Sequence, residues 1–163
     1  MQNIKEYTEA KKLSIKETIK EKKLKAAIIQ VGSVEASNRY VRNKIKDLES
    51  VGITCELIKF PEDISEEYLL YTLNSLNNLK EVTGYLVQLP LPKHISEEKV
   101  NLAIDPAKDI DGFHPLSSTI AATPLGIYNY LKDMKYNFTG KNAVIIGRSN
   151  IVGKPMHKLL LEA

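Results

Sequence analysis

The sequence predicts an α/β fold, a parallel sheet covered by helices and followed by the opening of a second α/β unit. Three observations predict it. Apolar runs of strand length alternate with segments of helical period, the connections between them are short, and Gly or Pro closes nearly every run. Parallel strands need crossovers of this kind, and the right-handedness of those crossovers leaves few topologies.

The first strand is the apolar run Ala26-Ala-Ile-Ile-Gln-Val31, ending at Gly32. A helix follows, with Ser37 as its N-cap and Tyr40, Val41, Lys44, Ile45, Leu48 and Val51 at helical spacing. Gly52 closes it as a residue just past a helix end should. Ile53 to Phe60 alternates as a strand does and stops at Pro61. Ile64 to Leu79 carries Leu69, Leu73, Leu76 and Leu79 at helical steps, and Tyr85-Leu-Val-Gln-Leu89 is a third, central strand ended by Pro90 and Pro92. Residues 105–118 contain Pro106, Gly112 and Pro115 and read as a loop. Thr123 as N-cap with Pro124 at the first helical position starts a helix carrying Ile127, Leu131 and Met134. Gly140-Lys141 leads into a strand, Ala143-Val-Ile-Ile146, then a turn, Gly147 to Gly153, and a last helix, Lys154 to Glu162. A lone βα unit cannot bury its own sheet. Residues 1–122 are therefore expected to form one domain, and residues 123–163 the incomplete opening of another.

Composition narrows the function. The chain has 163 residues, 43% hydrophobic and 26% charged, which suits one domain or one domain with part of the next. No apolar run approaches the ~20 residues that span a bilayer, and the polar start MQNIKEYTEAKK lacks a signal-peptide core. One cysteine, Cys55, and three scattered histidines offer neither an internal disulfide nor a metal cluster. A soluble cytoplasmic protein without membrane or metal is expected. The net charge of +3 arises from residues 1–25, where eight lysines face four glutamates, so it reads as a solvated helix face and not as a nucleic-acid footprint.

Four groups of residues offer chemistry. Tyr40 and Lys44, four apart, share a helix face that is otherwise apolar. A partly desolvated lysine loses pKa and serves as an acid or base near neutrality, whereas a snorkelling lysine merely covers the core with its stem. Gln88 falls near the C-terminal end of a parallel strand, where ligands of open α/β sheets bind, and is either a substrate contact or a satisfied amide. Asp109 and Asp111 could bind a cation, or one could hold a guanidine-like edge bidentately, or Asp111-Gly112 could be an Asx-turn without a ligand. Gly147-Arg-Ser-Asn-Ile-Val-Gly153 stands between a predicted strand and a helix, the context of a phosphate-binding turn, with Ser149 at the place of a second glycine. A plain strand-to-helix turn is its alternative.

Taken in order, these segments resemble the bifunctional methylenetetrahydrofolate dehydrogenase/methenyltetrahydrofolate cyclohydrolase family. The resemblance rests on Tyr40-Val41-x-x-Lys44-x-Lys46, Val87-Gln-Leu-Pro-Leu-Pro92, Pro106-x-Lys-Asp-Ile-Asp-Gly-Phe-His-Pro115 and Gly147-Arg-Ser-x-Ile-Val-Gly-x-Pro155. Val31-Gly32, Ala36-Ser37 and Ala122-Thr-Pro-Leu-Gly126 extend it across residues 24–163.

The resemblance implies a folate-binding catalytic domain followed by the start of a Rossmann-like dinucleotide-binding domain, in a cytoplasmic homodimer of one-carbon metabolism that feeds purine biosynthesis. It implies oxidation of 5,10-methylenetetrahydrofolate with a nicotinamide cofactor and hydrolysis of the methenyl product to 10-formyltetrahydrofolate. Lys44 would be the catalytic lysine, with Gln88 hydrogen-bonded to it. Tyr40 would stack on the aminobenzoyl ring and Asp111 would take the amino-pyrimidine edge of the pterin. Gly147, Arg148 and Ser149 would face the cofactor phosphates, the arginine leaning the choice to NADP over NAD. The sequence departs from the family in a shorter loop between His114-Pro115 and Thr123-Pro124 that lacks a Pro-Cys pair, and in lacking the later Pro-Gly-Gly-Val-Gly-Pro segment. Missing residues are expected at both places. Two other readings stay open: a truncated relative limited to folate binding or cyclohydrolase work, and a non-catalytic Rossmann-like partner subunit.

Overall fold

The computed structural model describes residues 3–163. Nine helices and strands follow in the described residues, α1 (Ile4–Ile19), β1 (Lys25–Val31), α2 (Glu35–Ser50), β2 (Thr54–Phe60), α3 (Glu66–Asn78), β3 (Gly84–Val87), α4 (Glu97–Ala103), α5 (Ala122–Asp133) and α6 (Gly153–Leu161). The three strands form a parallel sheet in the order β2-β1-β3, with Ile28 opposite Leu57 on one side and opposite Leu86 on the other. The central strand is therefore β1, and the expectation of a central third strand is corrected. On the far side of β3, residues 108–110 run alongside it, with the Tyr85 N–H donating to Lys108 O at 2.8 Å and a parallel bridge between Tyr85 and Asp109.

The alternation along β1 divides the core into two layers. Ala27, Ile29 and Val31 face α3 and α4, packing with Leu69, Leu73 and Val100. Ile28 faces the other way with Leu86, against Val41, Ile45 and Leu48 of α2. Tyr85 is buried in the first layer, its hydroxyl donating to Asn77 Oδ1 at 2.6 Å, and burial pushes its phenol well above the ordinary value.

Helix ends follow local chemistry, though not always at the expected residue. α2 ends as anticipated: Gly52 adopts φ +97°, its N–H donates to Glu49 O at 3.0 Å and the Ile53 N–H to Leu48 O at 3.0 Å, the paired bonds of a Schellman motif. At its start, however, Val34 occupies the N-cap without a side-chain cap, and Ser37 lies buried within the helix. α5 likewise begins at Ala122, so Thr123 and Pro124 both sit in its first turn, where a missing N–H leaves no intrahelical bond broken. α1 buries none of its residues. Polar contacts hold it: Tyr7 and Lys11 both reach Asp133 of α5 at 2.7 Å, and Lys12 reaches Asp47 of α2 at 2.7 Å.

The expected strand Ala143–Ile146 does not form. No strand among the described residues pairs with it, and Val144 and Ile146 are 89% and 99% exposed. An apolar run has the composition of a strand, but a strand exists only through its ladder.

Candidate active site

The C-terminal ends of β1 and β3, the start of α2 and the segment 108–114 converge on one edge of the sheet. α2 packs its Val41/Ile45/Leu48 stripe on the sheet, so Lys44, three residues from Val41, stands beside that stripe and reaches past the sheet edge. Its Nζ donates to both carboxylate oxygens of Asp111, at 3.1 and 2.9 Å, and the two side chains are 33% and 14% exposed. Residues 67 apart in sequence are thus joined in a half-buried ion pair. Tyr40, one helical turn before Lys44, presents its ring at the surface with 63% exposure.

The two aspartates divide their work. Asp109 is buried and accepts three backbone N–H bonds, from Asp111 at 3.1 Å, Gly112 at 2.9 Å and His114 at 2.8 Å. That is an Asx-turn extended by one more bond, and it belongs to Asp109 rather than to Asp111. Gly112, at φ +71°, lets the chain fold so closely that an added Cβ would lie 2.6 Å from Thr119 O and 2.7 Å from the Ala121 nitrogen. Asp111 is left with its carboxylate turned outward from the loop it belongs to.

Gln88 is buried just past β3, where its backbone N–H still bonds Ile29 O at 2.8 Å. Its side-chain amide donates to Leu89 O at 2.7 Å, before the cis Leu89–Pro90 bond, and its Oε1 is buried without a partner. The expected hydrogen bond between Gln88 and Lys44 is replaced by the pairing of Lys44 with Asp111. The carboxylate wins because it offers two charged acceptors to one ammonium.

Away from this edge, the turn before α6 is built by glycines. Gly147 adopts φ +120° and has open space where a Cβ would be. Gly153 is the reverse case, since a Cβ there would lie 2.5 Å from Gly147 O and 2.8 Å from Arg148 Cα. Ser149 Oγ accepts from the N–H groups of Val152 at 3.2 Å and Gly153 at 3.3 Å, which leaves its own proton for an acceptor. Arg148 is exposed and has no ion-pair partner among the described residues. An adjoining cavity of about 310 Å³ is lined by Gly147, Arg148, Gly153, Lys154 and His157. The turn fits an anionic group: open backbone at one glycine, a helix start held close by another, and a free cation between them.

Sequence reasoning passes over one participant and leaves the role of a second unread. Gln30, inside the apolar run of β1, is buried and donates through Nε2 to Asn38 Oδ1 at 2.7 Å. An amide near the end of the otherwise apolar run Ala26–Val31 is the available signal. Asp109 was noticed, but its role as the loop's organiser depends on backbone groups that spacing does not reveal.

This arrangement defines an open-sheet α/β protein whose polar side chains gather at the carboxyl ends of its strands, the place where folds of this class bind their ligands. The chain belongs to the tetrahydrofolate dehydrogenase/cyclohydrolase family: the catalytic domain of that family matches residues 2–111, and its NAD(P)-binding domain matches residues 121–163. The bifunctional protein FolD of Lactococcus lactis subsp. cremoris is 48% identical over 146 residues, covering 84% of this chain and 51% of the relative. That of Staphylococcus epidermidis is 49% identical over 148 residues, covering 85% and 52%. The chain thus spans about half the length of these relatives. Among solved structures, the bifunctional FolD enzyme of Campylobacter jejuni superposes with a TM-score of 0.86 at 39% identity, covering 94% of this chain and 61% of its own. A Trypanosoma brucei FolD solved with NADP and an inhibitor gives 0.89 at 25% identity, covering 95% and 58%.

Proposed function

We propose that this chain binds a reduced folate at the β1/β3 edge and takes part in NADP-dependent oxidation of 5,10-methylenetetrahydrofolate and hydrolysis of the methenyl product to 10-formyltetrahydrofolate. The observation that carries the reading is the Lys44–Asp111 pair, 2.9 Å across at its shorter contact. It sets a proton-carrying amine beside a carboxylate whose two oxygens suit the paired donors of an amino-pyrimidine.

The two partners compete for one carboxylate. When the pterin edge occupies both oxygens of Asp111, Lys44 is released towards the reacting carbon. Water then adds to the electrophilic methenyl carbon and loses one proton. The new hydroxyl loses the other as the formyl C=O forms and the bond from that carbon to N5 breaks, and N5 takes up one proton, so one proton is released overall. Lys44 serves these transfers, and the unpartnered Oε1 of Gln88 supports that amide as the acceptor holding the freed ammonium. Tyr40, exposed one turn before Lys44, offers a flat face for the aminobenzoyl ring.

Gly147, Arg148 and Ser149 are proposed to hold the phosphates of NADP, Arg148 favouring the 2′-phosphate over NAD. When bound, NADP supplies the hydride acceptor of the oxidation. The division of the chain near residue 122 into a folate part and a nucleotide part, assembly as a homodimer and a cytoplasmic location complete the reading. A second reading, folate binding and hydrolysis alone, is favoured by the unpaired run Ala143–Ile146, and NADP-dependent oxidation by the chain separates the two.

Lys44→Met tests the assignment. Methionine keeps most of the stem's packing and removes the proton carrier, so melting should be unchanged while hydrolysis falls about 10²–10⁴-fold. Wild-type hydrolysis of methenyltetrahydrofolate by a folded Lys44→Met protein would remove Lys44 from the mechanism.

A further inference from the structure

We infer that Gln30 is a positioning residue: through Asn38 it fixes the rotation of α2 on the sheet, and with it the place of Lys44. The inference deepens the function proposed above and rests on it for its catalytic consequence.

Gln30 is 1% exposed at the C-terminal end of the central strand, two residues past Ile28, on the face that packs against α2. Its Nε2 donates to Asn38 Oδ1 at 2.7 Å, and Asn38 Nδ2 donates onward to Ser33 Oγ at 3.3 Å in the turn between β1 and α2. The other half of the amide, Oε1, is buried with no partner. A half-satisfied buried amide stabilises less than an apolar side chain of similar size, so stability does not explain a glutamine here.

Geometry does. Asn38, Val41, Ile45 and Leu48 form the stripe that α2 lays on the sheet, and three of the four make only apolar contacts, which are non-directional and tolerate rotation and sliding. The N-terminus of α2 has no side-chain cap to fix it either. The Gln30–Asn38 bond is the only side-chain hydrogen bond joining α2 to a strand among the described residues. It therefore supplies the directional contact between the strands and the helix that bears Tyr40 and Lys44. Lys44 flanks the same stripe, so rotating α2 swings Nζ along the sheet edge and away from Asp111.

The test uses Gln30→Leu, Asn38→Leu, Asn38→Asp and the double leucine variant. Gln30→Leu removes the unpartnered acceptor and should melt at or above the wild-type temperature. Its kcat for methenyltetrahydrofolate hydrolysis should fall about tenfold or more, with KM little changed, because small misplacements of a catalytic group cost rate. Asn38→Asp keeps the acceptor for Gln30 and should retain kcat, Asn38→Leu should match Gln30→Leu, and the double variant should be no worse than either single one. A wild-type kcat in Gln30→Leu, or additive losses in the double variant, would overturn the inference. Crystal structures provide an arm that needs no activity. In Gln30→Leu, α2 should be rotated on the sheet with the Lys44–Asp111 pair broken, and an unmoved helix with that pair intact would refute the positioning role. If the wild type fails to hydrolyse the folate, the proposed function falls while this structural arm still decides the role of Gln30.

Discussion

Asp109 and Asp111 sit two residues apart and should fail in opposite ways when each is changed to asparagine. Asp109 holds its loop through three charge-assisted bonds: Oδ1 takes the N–H groups of Asp111 and Gly112, and Oδ2 takes that of His114. Asparagine keeps one acceptor and turns the other into a donor that faces an N–H. At least one such bond is lost in a buried site, which costs about 2 kcal/mol. For a chain of this size that corresponds to a melting temperature lower by about 4–8 °C. Asp111 holds no loop bond through its side chain and faces only Lys44, in a pair with 33% and 14% exposed side chains. Losing a pair this open moves stability by about 1 kcal/mol or less. If Asp111 receives the paired donors of the pterin, however, Asp111→Asn leaves one of them unmatched, and truncating such contacts costs about 2–5 kcal/mol of binding, a loss of about thirtyfold or more in affinity. The assay is calorimetric melting beside folate titration of both variants. The reasoning is refuted if Asp109→Asn melts like the wild type, or if Asp111→Asn binds folate as tightly as the wild type.

Two further outcomes follow from the geometry. Gly153→Ala places a Cβ 2.5 Å from Gly147 O and 2.8 Å from Arg148 Cα, both backbone, so the start of α6 must move; NADP affinity should fall at least about tenfold, and a titration showing unchanged affinity would separate this turn from nucleotide binding. Glu66 is held below its ordinary value of 4.5 by the Lys99 ammonium and then by the Ser96 N–H, which it joins at 2.7 Å to fasten α3 to the start of α4. A carboxyl with a lowered folded-state pKa stabilises above its ordinary value and loses that contribution as pH falls through the lowered one, so the melting temperature of Glu66→Gln should converge on the wild type in acid; a constant gap across the titration would exclude the linkage.

The sheet and its two long covering helices were legible because their signal is local. The apolar runs 26–31, 53–60 and 85–89 and the leucine steps of α3 need no knowledge of partners. α4 was missed because seven residues show hardly two turns of period, though Ser96, whose hydroxyl accepts from the Lys99 N–H, and Glu97-Glu98 mark its start. Ser37 and Thr123 have the chemistry of caps but lie inside their helices, since the chain enters each helix earlier than its first apolar residue suggests. In the site, residue types were readable and pairings were not. Lys44 and Gln88 are matched by expectation, whereas Asp111 claims Lys44 across 67 residues through a loop that pairing beside Tyr85 and the bonds from backbone N–H groups to Asp109 bring into place.

The bare run Ala143–Ile146 also bears on how this polypeptide behaves in a crowd of its own copies. Four consecutive apolar residues whose backbone groups pair with no strand among the described residues are a template on which a second chain can lay a strand. The sequence brackets that template with cations, Lys141 before it and Arg148 after it. Two copies stacking in register would bring like charges together at both ends, so Lys141 and Arg148 oppose that pairing.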